Sequence, residues 1–207
     1  MELPTSLVMV LSMTHQAFGA AIRGAEQPGW ITREVATLDG SIETLFIRDT
    51  FVNTHGVGGL DEEQQQRNGP AKIKFEAGDA QKSCDSEEAS QAPWIAPAEA
   101  QKCADLGLQI LDQAGYWEGW GWAGGVDYYG IARLADCEFG IARVDGLESQ
   151  AKFGNLDVGY LLGNVSDAQN GLVSSSGFVQ VGGSMRCLGA PMAFSVGKTA
   201  WPVAGVE

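Results

Sequence analysis

The chain has little of what proton-transfer and metal chemistry draw on. Only two histidines, His15 and His55, occur in 207 residues, and no C-x-x-C pair is present. That scarcity argues against a structural zinc site, which takes its ligands from clustered Cys and His, and neither metal nor cofactor is implied. It argues equally against Ser-His-Asp or Cys-His catalysis, where nucleophile, base and orienting group must meet within hydrogen-bond reach. Cations are scarce too: 13 Lys and Arg against 26 Asp and Glu leave a formal charge of −13. A surface of that sign repels phosphate backbones, so nucleic acid is no partner class, and adsorption to anionic membranes is disfavoured. No stretch approaches the roughly 18 apolar residues of a membrane span. "GNLDVGYLLGN" and "VGGSMRCLG" are rich in glycine but lack the spacing and lysine of a phosphate loop.

What is present is a core and a secretory pattern. Hydrophobic residues make up 44% of the chain, enough for a core, and 207 residues fit one domain with additional material or two small ones. An apolar run from Leu7 to Met13, broken only by Ser12, precedes the small residues Ala17, Gly19, Ala20 and Ala21. It reads as a secretory signal over 1–20, cut after Gly19 or Ala20, although the first cation of the chain is Arg23. The expected localisation is extracellular. All four cysteines, Cys84, Cys103, Cys137 and Cys187, lie beyond this segment at long intervals, which predicts two disulfides.

Residues 21–82 contain no cysteine and include the polar run "LDEEQQQRNGP". In "SIETLFIRDTF" the apolar Ile42, Leu45 and Ile47 share a face only imperfectly. This predicts a weakly ordered N-terminal region or pro-segment, with an edge hairpin packed on the main domain as the alternative. From residue 83 the pattern is firmer, and 83–203 is expected to fold as a disulfide-bonded domain without the preceding segment. "WIAPAEAQKCADLGLQILDQAG" predicts a helix opened by Pro97 and closed by Gly115, with Cys103, Leu106, Ile110 and Leu111 as its apolar stripe. Gly107 leaves a notch in that stripe where another element can approach closely. Strands are expected over 116–123, 126–134 and 137–144 as an antiparallel meander, with turns at 123–125 and 135–136. A second helix covers about 155–168, with Asn155 as N-cap, Asp157 in the first turn, and Gly159 and Gly163 shortening or kinking it. Strands in "SGFVQVGG", "SMRCLG" and "MAFSVG" follow. The fold class is α+β: an antiparallel sheet of four or more strands with two helices on one face.

Paired carboxylates offer one route to catalysis, glycoside hydrolysis, with Asp127, Asp136, Glu138 and Asp157 as candidates. Acids of an acidic protein are mostly solvated, which is the simpler account of them. Asn164-Val165-Ser166 is an N-glycosylation acceptor, usable where it reaches the surface.

Cys84, Cys103, Gly115 with Trp117, "CEFGI" at 137–141, "GNLDV" at 154–158, "GSMRC" at 183–187 and Trp201 follow one another between Ser83 and Val203. In this order they resemble the fungal secreted effector family named for a necrosis-inducing factor. The resemblance implies a non-enzymatic effector or toxin-like protein acting on host plant or competing microbial cells, with cell death as the family's label. The domain type also occurs fused to fungal chitinases. A carbohydrate-binding module and a hydrolase with paired acids are the alternatives, and the partner is a cell-surface target, a glycan among the candidates. Of the three connectivities open to four cysteines, Cys84–Cys187 with Cys103–Cys137 is favoured, because the helix stripe and the "CEFGI" face should meet in the core.

"GYWEGWGWAGG", residues 115–125, read as a strand, puts Tyr116, Glu118, Trp120 and Trp122 on one face and Trp117 on the other. The tryptophan of the family corresponds to Trp117, which assigns that face to the core. Glu118, Trp120 and Trp122 are then the candidate partner-binding residues, unless residues 21–82 cover them. Alanine at both Trp120 and Trp122 should spare stability and weaken function.

Overall fold

Alternation of apolar and polar residues decides which strands pack inward. In "CEFGI", Cys137, Phe139 and Ile141 are all buried, and in "GSMRC", Met185 and Cys187 are buried together, as period-two strands require. The computed structural model describes residues 29–53, 71–120, 128–145, 150–188 and 190–198, without the side chains of 51–53, 71, 86, 87 and 120. The expected signal segment, His55, Trp122, Asp127 and Trp201 lie outside the described residues.

Seven strands form an antiparallel sheet in the order β1 (Trp30–Ala36), β2 (Ile42–Arg48), β8 (Tyr129–Leu134), β9 (Cys137–Arg143), β13 (Ala190–Lys198), β12 (Val181–Cys187), β5 (Cys84–Gln91). Four more form a second sheet in the order β10 (Ala151–Gly154), β7 (Gly115–Trp120), β4 (Ala71–Ala77), β3 (Thr50–Asn53). The short pair β6 (Ala98–Glu99) and β11 (Phe178–Val179) lies apart from both. The two larger sheets are continuous in places, which gives the assembly its curl. β2 runs through Asp49 into β3, and the Lys152 N–H of β10 donates to Leu188 O, just beyond β12, at 3.0 Å. Helices α1 (Ala100–Leu111) and α2 (Asn155–Ser166) pack inside the curl, so Leu106, Ile110, Leu161 and Val165 share one core with Phe139 and Phe194 of the large sheet and Ile73 and Phe153 of the small one. The α+β expectation is met, as are both disulfides: Cys84–Cys187 joins opposed residues of β5 and β12, and Cys103–Cys137 ties α1 to β9.

Several expectations need correction. The described part of residues 21–82 is not a weakly ordered arm; β1 and β2 form the alternative, a hairpin at the edge of the large sheet. The segment supplies β1 to β4 and buries Leu45, Ile47, Ile73 and Phe75, because Leu45 and Ile47 share the parity that faces the core while Ile42 falls on the other and is 63% exposed. The β1–β2 hairpin also grips α1. Lys102 reaches Asp39 at 3.0 Å and Glu43 at 3.4 Å, the buried Asp105 accepts from Leu38 N at 3.1 Å, and Gln109 donates to Ala36 O at 3.3 Å. The Thr37 hydroxyl and then the Ser41 N–H, with Lys102, hold the Asp39 carboxyl well below its ordinary range. Of the expected meander the second pairing is present, β8 with β9 through the turn at 135–136, while β7 pairs with β4 and β10 and not with β8, whose other neighbour is β2. The first helix starts at Ala100, later than Pro97 suggested, because Ala98 and Glu99 pair with β11.

The second helix runs without a break from Asn155 to Ser166, ending two residues short of the expected 155–168. Gly154, and not Asn155, is the N-cap, and Asp157 accepts its N–H at 2.7 Å. Gly159 lies where α2 crosses the Gly107 notch of α1: a methyl there would stand 2.6 Å from Leu111 Cδ2 and 3.0 Å from Gly107 O. A methyl on Gly163 would meet nothing within 4 Å. Gly163→Ala should therefore stabilise by about 0.5–1 kcal/mol through helix propensity. Gly159→Ala should destabilise by about 1–3 kcal/mol, as overpacking does. Urea denaturation of the two variants checks this, and effects of the same sign would contradict the close crossing.

Candidate functional site

The small sheet has one inner and one outer face, set by three strands that alternate in phase. In β7, Trp117 is fully buried while Tyr116 and Glu118 are partly exposed. In β4, Ile73 and Phe75 point inward, and Lys72, Lys74 and Glu76 alternate with them. In β10, Ala151 and Phe153 are buried on either side of the half-exposed Lys152.

Register turns these residues into rows. Phe75, Trp117 and Phe153 lie opposite one another on the inner face, with ring centroids 4.9 Å and 5.5 Å apart. The Trp117 indole N–H donates to Arg48 O at 2.9 Å, so its one polar atom is satisfied in the core. On the outer face Lys74, Glu118 and Lys152 form a second row, and Glu76 lies opposite Tyr116. Lys74 pairs with Glu76 at 2.6 Å, and the Lys152 ammonium sits 3.5 Å from the centre of the Tyr116 ring. The Lys74 pKa is raised, first by its bond to Glu76 and then by that charge, with Glu118 and Asp49 adding to it. The result is a rigid face with alternating charges around an aromatic ring, able to make charge-assisted hydrogen bonds at fixed spacings.

Of the sequence-derived candidates, Glu118 is on this face. Trp120 stands opposite Lys72 in the ladder; its side chain and all of Trp122 are outside the described residues. Lys72, Lys74 and Lys152 are not among the sequence-derived candidates. The signal was there in "AKIKFEA", whose lysines alternate with Ile73 and Phe75 as in a half-buried strand.

Two of the candidate acids for hydrolysis, Asp157 and Asp136, accept bonds from backbone N–H groups. Asp157 is buried and accepts three backbone N–H bonds, from Ser83 at 2.8 Å, Cys84 at 3.1 Å and Gly154 at 2.7 Å. Asn155 beside it accepts from Gln81 N at 3.0 Å and donates to Leu111 O at 3.1 Å, satisfying a carbonyl at the end of α1. "GNLDV" is therefore a knot that joins both helices to the start of β5. Asp136 accepts from Glu99 N at 3.3 Å. Asn164 is exposed near the end of α2. No described helix is long and apolar enough to cross a membrane. No protein-family model and no curated protein matches this chain.

Proposed function

We propose that this is a secreted, non-enzymatic effector or toxin-like protein of the kind that acts on host plant or competing microbial cells. In this reading it binds a cell-surface target through the outer face of the small sheet. The observation that carries the reading is the row Lys74–Glu118–Lys152 beside Tyr116, a concentration of lysines on a chain with twice as many acids as bases. Two disulfides support an oxidising, extracellular destination. Cell death is the expected outcome on a susceptible host, on the strength of the family resemblance of residues 83–203.

Leaf infiltration with purified protein tests this, beside a reduced and alkylated control. Lys74→Glu with Lys152→Glu sets like charges opposite Glu118 and should cost about 0.5–2 kcal/mol, so necrosis is compared well below the melt of the variant. The same pair should require about tenfold more protein for equal necrosis, the effect of about 1.4 kcal/mol of lost binding. Undiminished necrosis from the double variant would remove the face from the account. The carbohydrate-binding alternative rests on Trp120 and Trp122, since Lys152 already occupies one face of Tyr116. Retention on insoluble polysaccharide would favour it.

A further inference from the structure

We propose that Asn164 carries an N-linked oligosaccharide, attached before α2 docks onto the rest of the fold; this rests on the secretory reading. Asn164-Val165-Ser166 is the one N-x-[Ser/Thr] acceptor in the sequence, and it occupies the last turn of α2. The Asn164 side chain is exposed, and its Oδ1 accepts from Asn170 Nδ2 at 2.6 Å. Its Nδ2, the atom that would be modified, has no hydrogen-bond partner among the described residues. A sugar on that nitrogen leaves the bond to Asn170 intact. Tyr160, one turn earlier on the same helix face, is 58% exposed, and a glycan would lie over it.

The other acceptor residues are placed differently. Val165 is fully buried, and the Ser166 hydroxyl is buried with no hydrogen-bond partner among the described residues. A buried hydroxyl without a partner lowers stability, so the fold gives no reason for a serine here. Its use as the acceptor hydroxyl does give one. Because the folded chain hides that hydroxyl, transfer has to occur while the segment is still extended. The donor is a lipid-diphosphate-linked oligosaccharide. Asn164 Nδ2 forms a bond to the anomeric carbon and gives its proton to a base. The bond from that carbon to the diphosphate oxygen breaks, and its electron pair leaves with the lipid diphosphate.

The test is expression in a eukaryotic host behind a heterologous leader, so that failure of the native N-terminus to direct secretion does not affect it. Protein from the medium should lose the mass of one glycan on N-glycosidase treatment. Asn164→Gln and Ser166→Ala should each lack that step, and Ser166→Ala should melt no lower than deglycosylated wild type. Unglycosylated folded protein, given microsomal transferase and lipid-linked donor, should remain unmodified, while the reduced and alkylated chain accepts the glycan. Secreted wild type without a glycan would overturn the proposal, and efficient transfer to the folded protein would overturn its timing.

Discussion

A chain beginning at Ser83 should lose its cooperative thermal transition. Without β4, strand β7 would keep only the four-residue β10 as a neighbour, and Trp117 would lose both Phe75 and the Arg48 carbonyl. Helix α1 would lose Asp39 and Glu43 as partners of Lys102, and the buried Asp105 would lose the Leu38 N–H. Leu45, Ile47, Ile73 and Phe75 would vanish from the core. At about 1.5–3 kcal/mol for each buried side chain, the loss is about 6–12 kcal/mol, comparable with the whole stability of a domain. Both disulfides lie within 84–187 and would survive, but they restrict the unfolded chain and cannot replace a missing layer. Calorimetry of the oxidised fragment decides the matter. A sharp melt near that of the full chain would show that β1 to β4 are dispensable.

Trp117→Ala should destabilise the protein by about 3–5 kcal/mol, the range for truncating large aromatics in a core. The side chain is fully buried between Phe75 and Phe153 and donates a hydrogen bond at 2.9 Å. Trp117→Phe separates the two contributions, since it keeps most of the ring stack and removes the bond from the indole N–H to Arg48 O. That variant should lose about 1–3 kcal/mol. Guanidinium titrations with an unchanged slope measure both. A loss below about 1 kcal/mol for the alanine variant would mean that the site collapses around the gap.

How far the sequence was readable depends on how local each contact is. The stripe Cys103, Leu106 and Ile110 and the alternation of "CEFGI" are local patterns, and both faces enter the core, which is why the favoured disulfide pairing was the observed one. β4 is hard to read locally because all its partners are distant or follow a long connection: β3 lies before residues 54–70 and β7 some forty positions later. Sequence proximity favours β8 as the neighbour of β7, whereas the pairing is settled by the Phe75–Trp117–Phe153 row, which no single segment reveals. Glycines mislead for a related reason. Propensity counts Gly159 as a cost, while the crossing with Gly107 makes it a requirement. The candidate site inherits the same limits: Glu118 was found from its own strand, and the lysines beside it come from two others.

Equilibrium binding of fluorescently labelled, oxidised protein to plant and fungal cells tests the central claim most directly. Wild type should bind one of the two saturably. Lys74→Glu with Lys152→Glu should bind that cell type about tenfold more weakly. Arg186→Glu with Lys198→Glu, two exposed positions on the large sheet, changes the net charge equally and should bind as wild type does. Equal losses in both pairs would mean that net charge alone governs binding, and no loss in the first pair would contradict the assignment of the small sheet's outer face.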